Sequence, residues 1–588
     1  MYTLGINAAF HDSAACIVKN GILLAAAEEE RFTHIKHGKR PIPFSTYELP
    51  FHAIDYCLRV AEIHINDVDH FAYSFDPYIL LGDRYRYAPV IQLPLNPAPG
   101  EGWLNPWDPL FLAYIVNAPA HLRDGWPHHL QPRFLGAEID MKKWHFVDHH
   151  LCHAASAFHA SPFNRAAVMT IDGRGEKATT SYYHGEGNDL ELVSQVQMPH
   201  SLGLLYERMT THLGFLHSSD EYKVMALASY GEPLFADAFR EMIHLGENGM
   251  YTIDDVDFSQ LFGPRRKKGD PFGAHQFNIA HSLQKVLQET VLKITEWLYE
   301  TAHEETLCIA GGVGLNCVMN AWLRDKGPFR NIWVQPAAGD AGTALGAALW
   351  VDAKERQTKE RAFVMDHAYW GPEYTDNAIE KFLRWAKVPY RKLDNVAREA
   401  AELLAQDKII GWYQGRMEFG PRALGSRSIL ASPIHAGMQA RLNEVKDRED
   451  FRPVAPVVLE EDAGDWFEEA QYSPFMLFVY RVREEMADKI PAVRHVDGTA
   501  RIQTVNEEQH PLYYSLLKEF KSLTGVPVLV NTSFNTLGKP IVQSPRDAVE
   551  CFWCSPFDAL VIGSFLVEKG DGFEAHAEAM AAEVADEA

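Results

Sequence analysis

The chain has no apolar run near the roughly 18 residues that span a membrane, and its opening, MYTLGINAAFHDS, has no basic segment followed by an apolar one. No membrane partner and no secretory leader are therefore expected. A disulfide framework is also missing. Seven cysteines, at 16, 57, 152, 308, 317, 551 and 554, are scattered over 588 residues, and an odd number suits a reducing compartment. Cys551 and Cys554 make a CxxC, but with no second pair and no nearby histidine they read as structural. The expected location is cytoplasmic. Basic excess is lacking too: 55 Lys and Arg face 79 Asp and Glu, a net charge of −24, which speaks against nucleic acid as a partner because counterion release needs a basic surface. The phosphate-loop pattern GxxxxGK[ST] does not occur.

What is present is the composition of a globular chain, 47% hydrophobic and 23% charged, at a length that implies more than one domain. TLGINAAF, then HDS, then AACIVKNGILLAAAEEE reads as strand, polar turn and a hairpin around Asn20-Gly21. AVMTIDGRGEKATTSYYHG, from residue 167, repeats strand, acidic glycine turn, strand, so the fold is expected to be duplicated. Between the two copies, residues 75–135 are rich in Pro, Tyr and Trp and read as an irregular insertion. Trp103, Trp107 and Tyr114 there are candidates for stacking on an acceptor or for contact with another subunit, including a second copy of the chain. Residues 279–305 have helical spacing. TLCIAGGVGLNCVMNAWL and NIWVQPAAGDAGTALGAALW each read as strand, glycine turn and helix. The charged stretch 353–366 marks a boundary, giving domains 1–355 and 366–588, both of alternating α/β character. The tail EAHAEAMAAEVADEA is expected to fray.

His149 and His153 in FVDHHLCHAAS are four apart, so a helix would project both from one face. That pattern fits two hydrogen-bonded histidines at a helix start or a metal pair. Asp172 and Asp340 each close a strand-like segment just before a glycine turn, and ligands of α/β sheets collect beyond strand ends. Two imidazoles and two carboxylates make a borderline-hard site for Fe(II), Mn or Zn. His150 points elsewhere and is assigned to packing or to support of the site. AGGVGLN can turn backbone N–H groups toward phosphate, naming Gly311, Gly312, Gly314 and Asn316; a glycine turn alone is equally consistent. In the second half, Arg422 and Arg427 of GPRALGSRS, with Lys446, Arg448 and Arg452 of VKDREDFRP, form either a solvated basic patch or an anion site. If VKDREDFRP is extended, 446, 448 and 452 share a face. Asn531, Ser533 and Asn535 of NTSFN also alternate.

Taken in order, FHDSAA, AEEERFTHIKHG, HHLCHAAS, DGRGE, EYKVMALASYGEP, AGGVGLN, PAAGDAGTALGAA, GRMEFGPRALGSRS, VKDREDFRPVAP and VNTSFNTLGKPIV resemble, over nearly the whole chain, the ATP-dependent O-carbamoyltransferases of nodulation-factor and antibiotic-tailoring pathways. The resemblance implies an actin/hexokinase-like duplicated N-terminal domain, similar to the tRNA-threonylcarbamoyl transferases. It further implies a C-terminal α/β domain that forms carbamoyl-adenylate from carbamoyl phosphate and ATP, the latter with Mg. Carried over by motif, His149, His153, Asp172 and Asp340 resemble ligands of an iron ion, His11 a general base with Lys36 beside it, and Lys446, Arg452, Arg501, Asn531 and Ser533 the carbamoyl phosphate and ATP site. The acceptor would be a hydroxyl of a small molecule, as in secondary-metabolite tailoring. When the resemblance is set aside, His11, beside Asp12 at a turn, reads first as a hydrogen-bonded turn residue.

Overall fold

The computed structural model describes residues 1–38, 49–82, 108–124, 134, 136–138, 140–536 and 538–569. The chain divides into two compact units, Met1–Met365 and Asp366–Ala588.

The first unit contains the same five-stranded sheet twice. One has the order Ile22–Glu28, Ala14–Lys19, Tyr2–Asn7, His70–Tyr73, Trp144–Phe146. The other has Asp189–Gln197, Ala178–Glu186, Arg165–Ile171, Thr306–Ala310, Asn331–Val334. In each, the first three strands in chain order form antiparallel hairpins, and the last two join in parallel beside the first. Asn20 and Gly21 both have positive φ, 51° and 83°, which matches the tight hairpin turn that Asn-Gly favours. Each fifth strand leads into a helix, His149–Phe158 in the first copy and Ala341–Arg356 in the second. These equivalent helices touch at Gly346, where a Cβ would lie 1.8 Å from the carbonyl oxygen of Cys152. Ala341–Arg356 also lies across the first sheet at Gly5, where a Cβ would meet Ala344 O at 2.0 Å. Alanine and glycine, rather than large apolar residues, therefore set how close these layers come.

The second unit is built on one mixed eight-stranded sheet, ordered Arg391–Lys392, Phe565–Glu568, Ala559–Ile562, Ile410–Tyr413, Arg427–Ala431, Val528–Ser533, Ala455–Leu459, Gln503–Val505. Ile410–Tyr413, Arg427–Ala431, Ala455–Leu459 and Ala559–Ile562 are buried along their whole length, as strands covered on both faces are.

Several expectations are revised. The long helix spans Ala274–Ala302. Asp340 does not end a strand: the strand stops at Val334, and Asp340 is the N-cap of the helix Ala341–Arg356. VKDREDFRP is not extended. Lys446 ends the helix Met438–Val445, Asp447 takes φ 46°, and Arg448 Nε donates to Asn443 Oδ1 at 2.6 Å, so alternation does not apply there. Within the insertion, Asp108–Val116 and Ala118–Asp124 are helical. DPLFLAYIV is apolar on every side, which hides a one-face period. Trp103, Trp107 and the tail beyond residue 569 lie outside the described residues. No helix among the described residues is long and apolar enough to cross a membrane.

Candidate functional site

The duplicated topology explains how four distant residues meet. Asp172 starts the hairpin loop after the first strand of the second sheet, and His11 occupies the matching loop of the first sheet. His149 opens the helix after one fifth strand, and Asp340 occupies the N-cap position of the helix after the other, its side chain making no cap hydrogen bond. His149, His153, Asp172 and Asp340 are all buried and each offers one ligand atom within 4.8 Å of the rest. His149 Nε2 lies 3.8 Å from Asp172 Oδ2 and 3.6 Å from Asp340 Oδ1; His153 Nε2 lies 3.8 and 3.7 Å from the same two oxygens. These separations are too long for hydrogen bonds. A tetrahedron with edges of this length has its centre about 2.3 Å from each corner, close to the roughly 2.0–2.2 Å of zinc bonds to nitrogen and oxygen.

The rest of the chemistry fits a cation. His149 Nε2, His153 Nε2 and both Asp340 oxygens are buried without a hydrogen-bond partner among the described residues, an arrangement that is costly unless something charged satisfies it. Burial opposes a charged His149, but Asp340 and Asp172 hold its pKa well above the ordinary value; a divalent ion would replace that proton in balancing the two carboxylates. His149 Nδ1 is 3.0 Å from the carbonyl oxygen of Ser74, which fixes Nδ1 as the donor and leaves the lone pair on Nε2. Burial raises the Asp340 carboxyl and the positive charge of His11 lowers it, with a net pKa of about 2; burial also opposes ionisation of Asp172, but the neighbouring histidines hold it well below the usual carboxylate range. Both acids are therefore ionised ligands near neutral pH.

The supporting residues are partly ones that spacing did not mark. Asp148 caps the His149 helix by accepting from Leu151 N at 2.8 Å. Glu176, inside DGRGE, accepts the backbone N–H of His149 on both oxygens at 3.1 Å and that of Asp76 at 2.6 Å. Gly175 is required for this approach, since a Cβ there would lie 2.8 Å from the His150 ring. His150 pairs through Nδ1 with Thr170 Oγ1 at 2.9 Å and Ser181 Oγ at 3.2 Å, and burial drops its pKa to about 3. It is a neutral packing residue behind the cluster.

His11 Nδ1 lies 3.7 Å from Asp340 Oδ2 and 2.9 Å from Asp12 Oδ2. The other oxygen of Asp12 is 2.8 Å from His37 Nδ1. Burial raises the Asp12 carboxyl, but His37 and His11 hold it well below its ordinary range. An ionised Asp12 only accepts, so Nδ1 of His11 is the donor and, in the neutral ring, Nε2 carries the lone pair. Phe10, Asp12 and His37 have φ of 54°, 50° and 59°, and such strain collects where a loop must present a side chain. Lys36 begins the turn Lys36–Gly38, next in the chain to His37.

The glycine loop lies against this cluster. Gly311 has φ 91°, and Gly312 N donates to Asp172 Oδ1 at 2.8 Å. That N–H is thus already committed. Gly314 N bonds Gly311 O at 2.8 Å. Asn316 caps the helix Cys317–Lys326 through Met319 N and pairs with Gln284.

In the second unit, Lys446 Nζ donates to the carbonyl oxygen of Ser533, to Ser533 Oγ at 3.0 Å and to Asn535 Oδ1 at 2.8 Å. Asn531 Nδ2 donates to Gln503 Oε1 at 2.8 Å and to Ala423 O at 3.2 Å, tying the strand to the loop that carries Arg422. Arg501 is half-buried two residues before Gln503, and its Nε has no partner among the described residues. Arg452 is half-buried, with Nη1 3.5 Å from Glu449. Arg427 belongs elsewhere: fully buried, it donates to the carbonyls of Gln414, Ser426, Pro372 and Gly415 and is a scaffold residue. Glu418, which no pattern singled out, accepts from Leu424 N and Ser426 N at 2.7 Å and from Arg427 N at 3.2 Å, and so shapes the Arg422 loop.

Residues 2–86 and 112–349 match the family model described as Carbamoyltransferase N-terminus, and residues 401–569 match that described as Carbamoyltransferase C-terminus. The chain is 39% identical over 96% of its length to the nodulation protein NolNO of Sinorhizobium fredii, covering 80% of that protein. It is 32% identical to the 3'-hydroxymethylcephem-O-carbamoyltransferase of Amycolatopsis lactamdurans, over 75% of this chain and 83% of that one. Among solved structures, the ROK hexokinase of Thermus thermophilus is similar at 13% identity with a TM-score of 0.30, covering 61% of this chain and all of that one, a likeness too loose to assign chemistry.

Proposed function

The chain belongs to the carbamoyltransferase family, and we propose that it is an ATP-dependent O-carbamoyltransferase that takes its carbamoyl group from carbamoyl phosphate by way of carbamoyl-adenylate. The acceptor is a hydroxyl of a small molecule, a sugar or a natural product, in keeping with the name of the cephem-modifying relative. The observation that carries this reading is the buried His149, His153, Asp172, Asp340 cluster with His11 directly beside Asp340.

In the second unit, Lys446, Arg452, Arg501 and Arg422 supply positive charge around Asn531 and Ser533, suited to phosphate groups. There water takes the phosphoryl group of carbamoyl phosphate as phosphate, and the carbamate oxygen so freed attacks the α-phosphate of ATP, giving carbamoyl-adenylate with release of pyrophosphate. In the first unit, the adenylate meets the acceptor hydroxyl. That hydroxyl is a poor nucleophile near neutral pH, and His11 Nε2 takes its proton as the oxygen bonds the carbamoyl carbon and AMP leaves. Asp12 holds the imidazole in the tautomer this step needs and stabilises its protonated form. His149, His153, Asp172 and Asp340 would hold Fe(II), with Mn or Zn meeting the same donor set; the ion would bind nucleotide phosphate and act as a Lewis acid on the reacting group.

The test follows pyrophosphate from purified protein given ATP and carbamoyl phosphate, with Arg452→Ala as the comparison. Release by the native chain that vanishes in the variant is expected. Equal release from both would remove Arg452 from the site, and phosphate transfer to acceptors with no pyrophosphate would replace this reading by a kinase.

A further inference from the structure

His70 opens the strand His70–Tyr73, and His145 is the middle residue of its parallel neighbour Trp144–Phe146, in register opposite Ala72. Stepping back two residues from Ala72 places His70 on the same face of the sheet. The helix Ala341–Arg356 covers that face, with Ala72 packed beside Ala347 and Val351. Glu355 lies one turn beyond Val351.

Three elements thus bring three donors together. His70 Nδ1 is 3.0 Å from His145 Nε2, and His145 Nδ1 is 3.9 Å from Glu355 Oε1. One ligand atom from each lies within 4.8 Å of the other two. Both histidines are half-buried and Glu355 is exposed. The neighbouring cations do not compete for Glu355: Arg356 Nε is 2.6 Å from Asp352, and Lys354 Nζ is 2.6 Å from Asp189.

We propose that His70, His145 and Glu355 form a second divalent transition-metal site, of the zinc class, separate from the His149 cluster. Two imidazoles and a carboxylate are a borderline donor set that suits zinc, with a fourth position left for water. In the metal-free chain the rings share one N–H across 3.0 Å. On binding, the donating ring offers that nitrogen's lone pair instead and carries its proton on the other nitrogen, so no net charge leaves the rings. The site clips two strands of the first sheet to the last turn of the helix that Asp340 directly precedes. At 1.5 Å per residue the two sites stand about 22 Å apart along that helix. Metal here therefore steadies the element that carries a ligand of the first site without touching it.

Metal-stripped full-length protein is titrated with zinc against a chromophoric chelator, and thermal unfolding is followed with and without zinc. The native chain is expected to take two equivalents. H149N loses one of them and keeps the other. H70N/H145N loses the second and keeps the first. E355Q, changed at an exposed side chain that leaves the fold intact, keeps two but binds one roughly tenfold more weakly or worse. The proposal is overturned if the native chain takes a single equivalent, or if E355Q and H70N/H145N match it in number and affinity. Should H70N/H145N not fold, E355Q decides alone.

Discussion

His11 Nδ1 donates to Asp12 Oδ2 at 2.9 Å, and this pairing, between neighbours in the chain, aims the imidazole toward Asp340. Adjacent side chains seldom face each other in regular structure. Here the left-handed backbone at Phe10 and Asp12 turns them together, and His37 holds the far oxygen of Asp12.

Asp12→Asn should therefore cost catalysis without emptying the metal cluster. The amide donates as well as accepts, so the His11 tautomer is no longer enforced. Transfer to a hydroxyl acceptor is expected to fall about 10²-fold or more in kcat with little change in KM, within the range of a lost general base. Metal content should stay at the native value. Loss of metal in Asp12→Asn would make the residue structural.

Asp340→Asn and His153→Ala remove corners of the buried cluster. Each is expected to abolish metal retention there and to remove that site's share of the stabilisation metal gives the native chain, about 2.7 kcal/mol at a hundredfold excess over Kd. Element analysis and thermal unfolding, run side by side, check this. Unchanged metal content at that site would refute the assignment.

Ser533→Ala tests the second unit. The hydroxyl accepts from Lys446 and donates to Asn535 Oδ1 at 2.8 Å, so its removal lets the ammonium shift. A hydrogen bond to a charged group is worth about 1.5–3 kcal/mol. Pyrophosphate release should fall roughly 10- to 100-fold, while transfer from pre-formed carbamoyl-adenylate, which the proposal assigns to the first unit, should be unaffected. Equal losses in both assays would contradict this division.

His159 sets an acid limit on stability. Its ring is buried, stacked on Trp350 at 6.0 Å, and burial, reinforced by Arg361, drops its pKa to about 3. The folded state thus binds fewer protons than the unfolded chain, whose histidines titrate near 6.5. Its contribution to stability is complete above pH 6.5 and is lost progressively as pH falls toward 3, on the order of 5 kcal/mol in total. His159→Gln should flatten the decline of unfolding free energy over that window, measured by urea titration at several pH values. The same slope in both proteins would exclude the residue.

The sequence carried much of this in local terms. Asn20-Gly21 marked a hairpin, AVMTIDGRGE repeated it, and His149 with His153 at helical spacing named half of the candidate metal site, because turn chemistry and side-chain period are properties of a few consecutive residues. VKDREDFRP shows where local reading stops. An extended strand and an irregular loop after a helix suit its charges equally well, and the hydrogen bond from Arg448 to Asn443 is what selects the loop.

Other features were settled only in three dimensions. Asp340 reads as a strand end, yet it stands at the start of a helix, and its place beside His149 follows from two copies of one topology packed through Gly346 and Cys152. Glu176, Glu418, Asp12 and the His70, His145, Glu355 group stood in plain view without a role. Each works through a partner distant in sequence or turned by an unusual backbone angle, and a contact of that kind leaves no periodic trace in the chain. Composition and motif thus determined the family and the kinds of atoms available, while only tertiary packing, which fixes distances between segments hundreds of residues apart, decided which of those atoms meet.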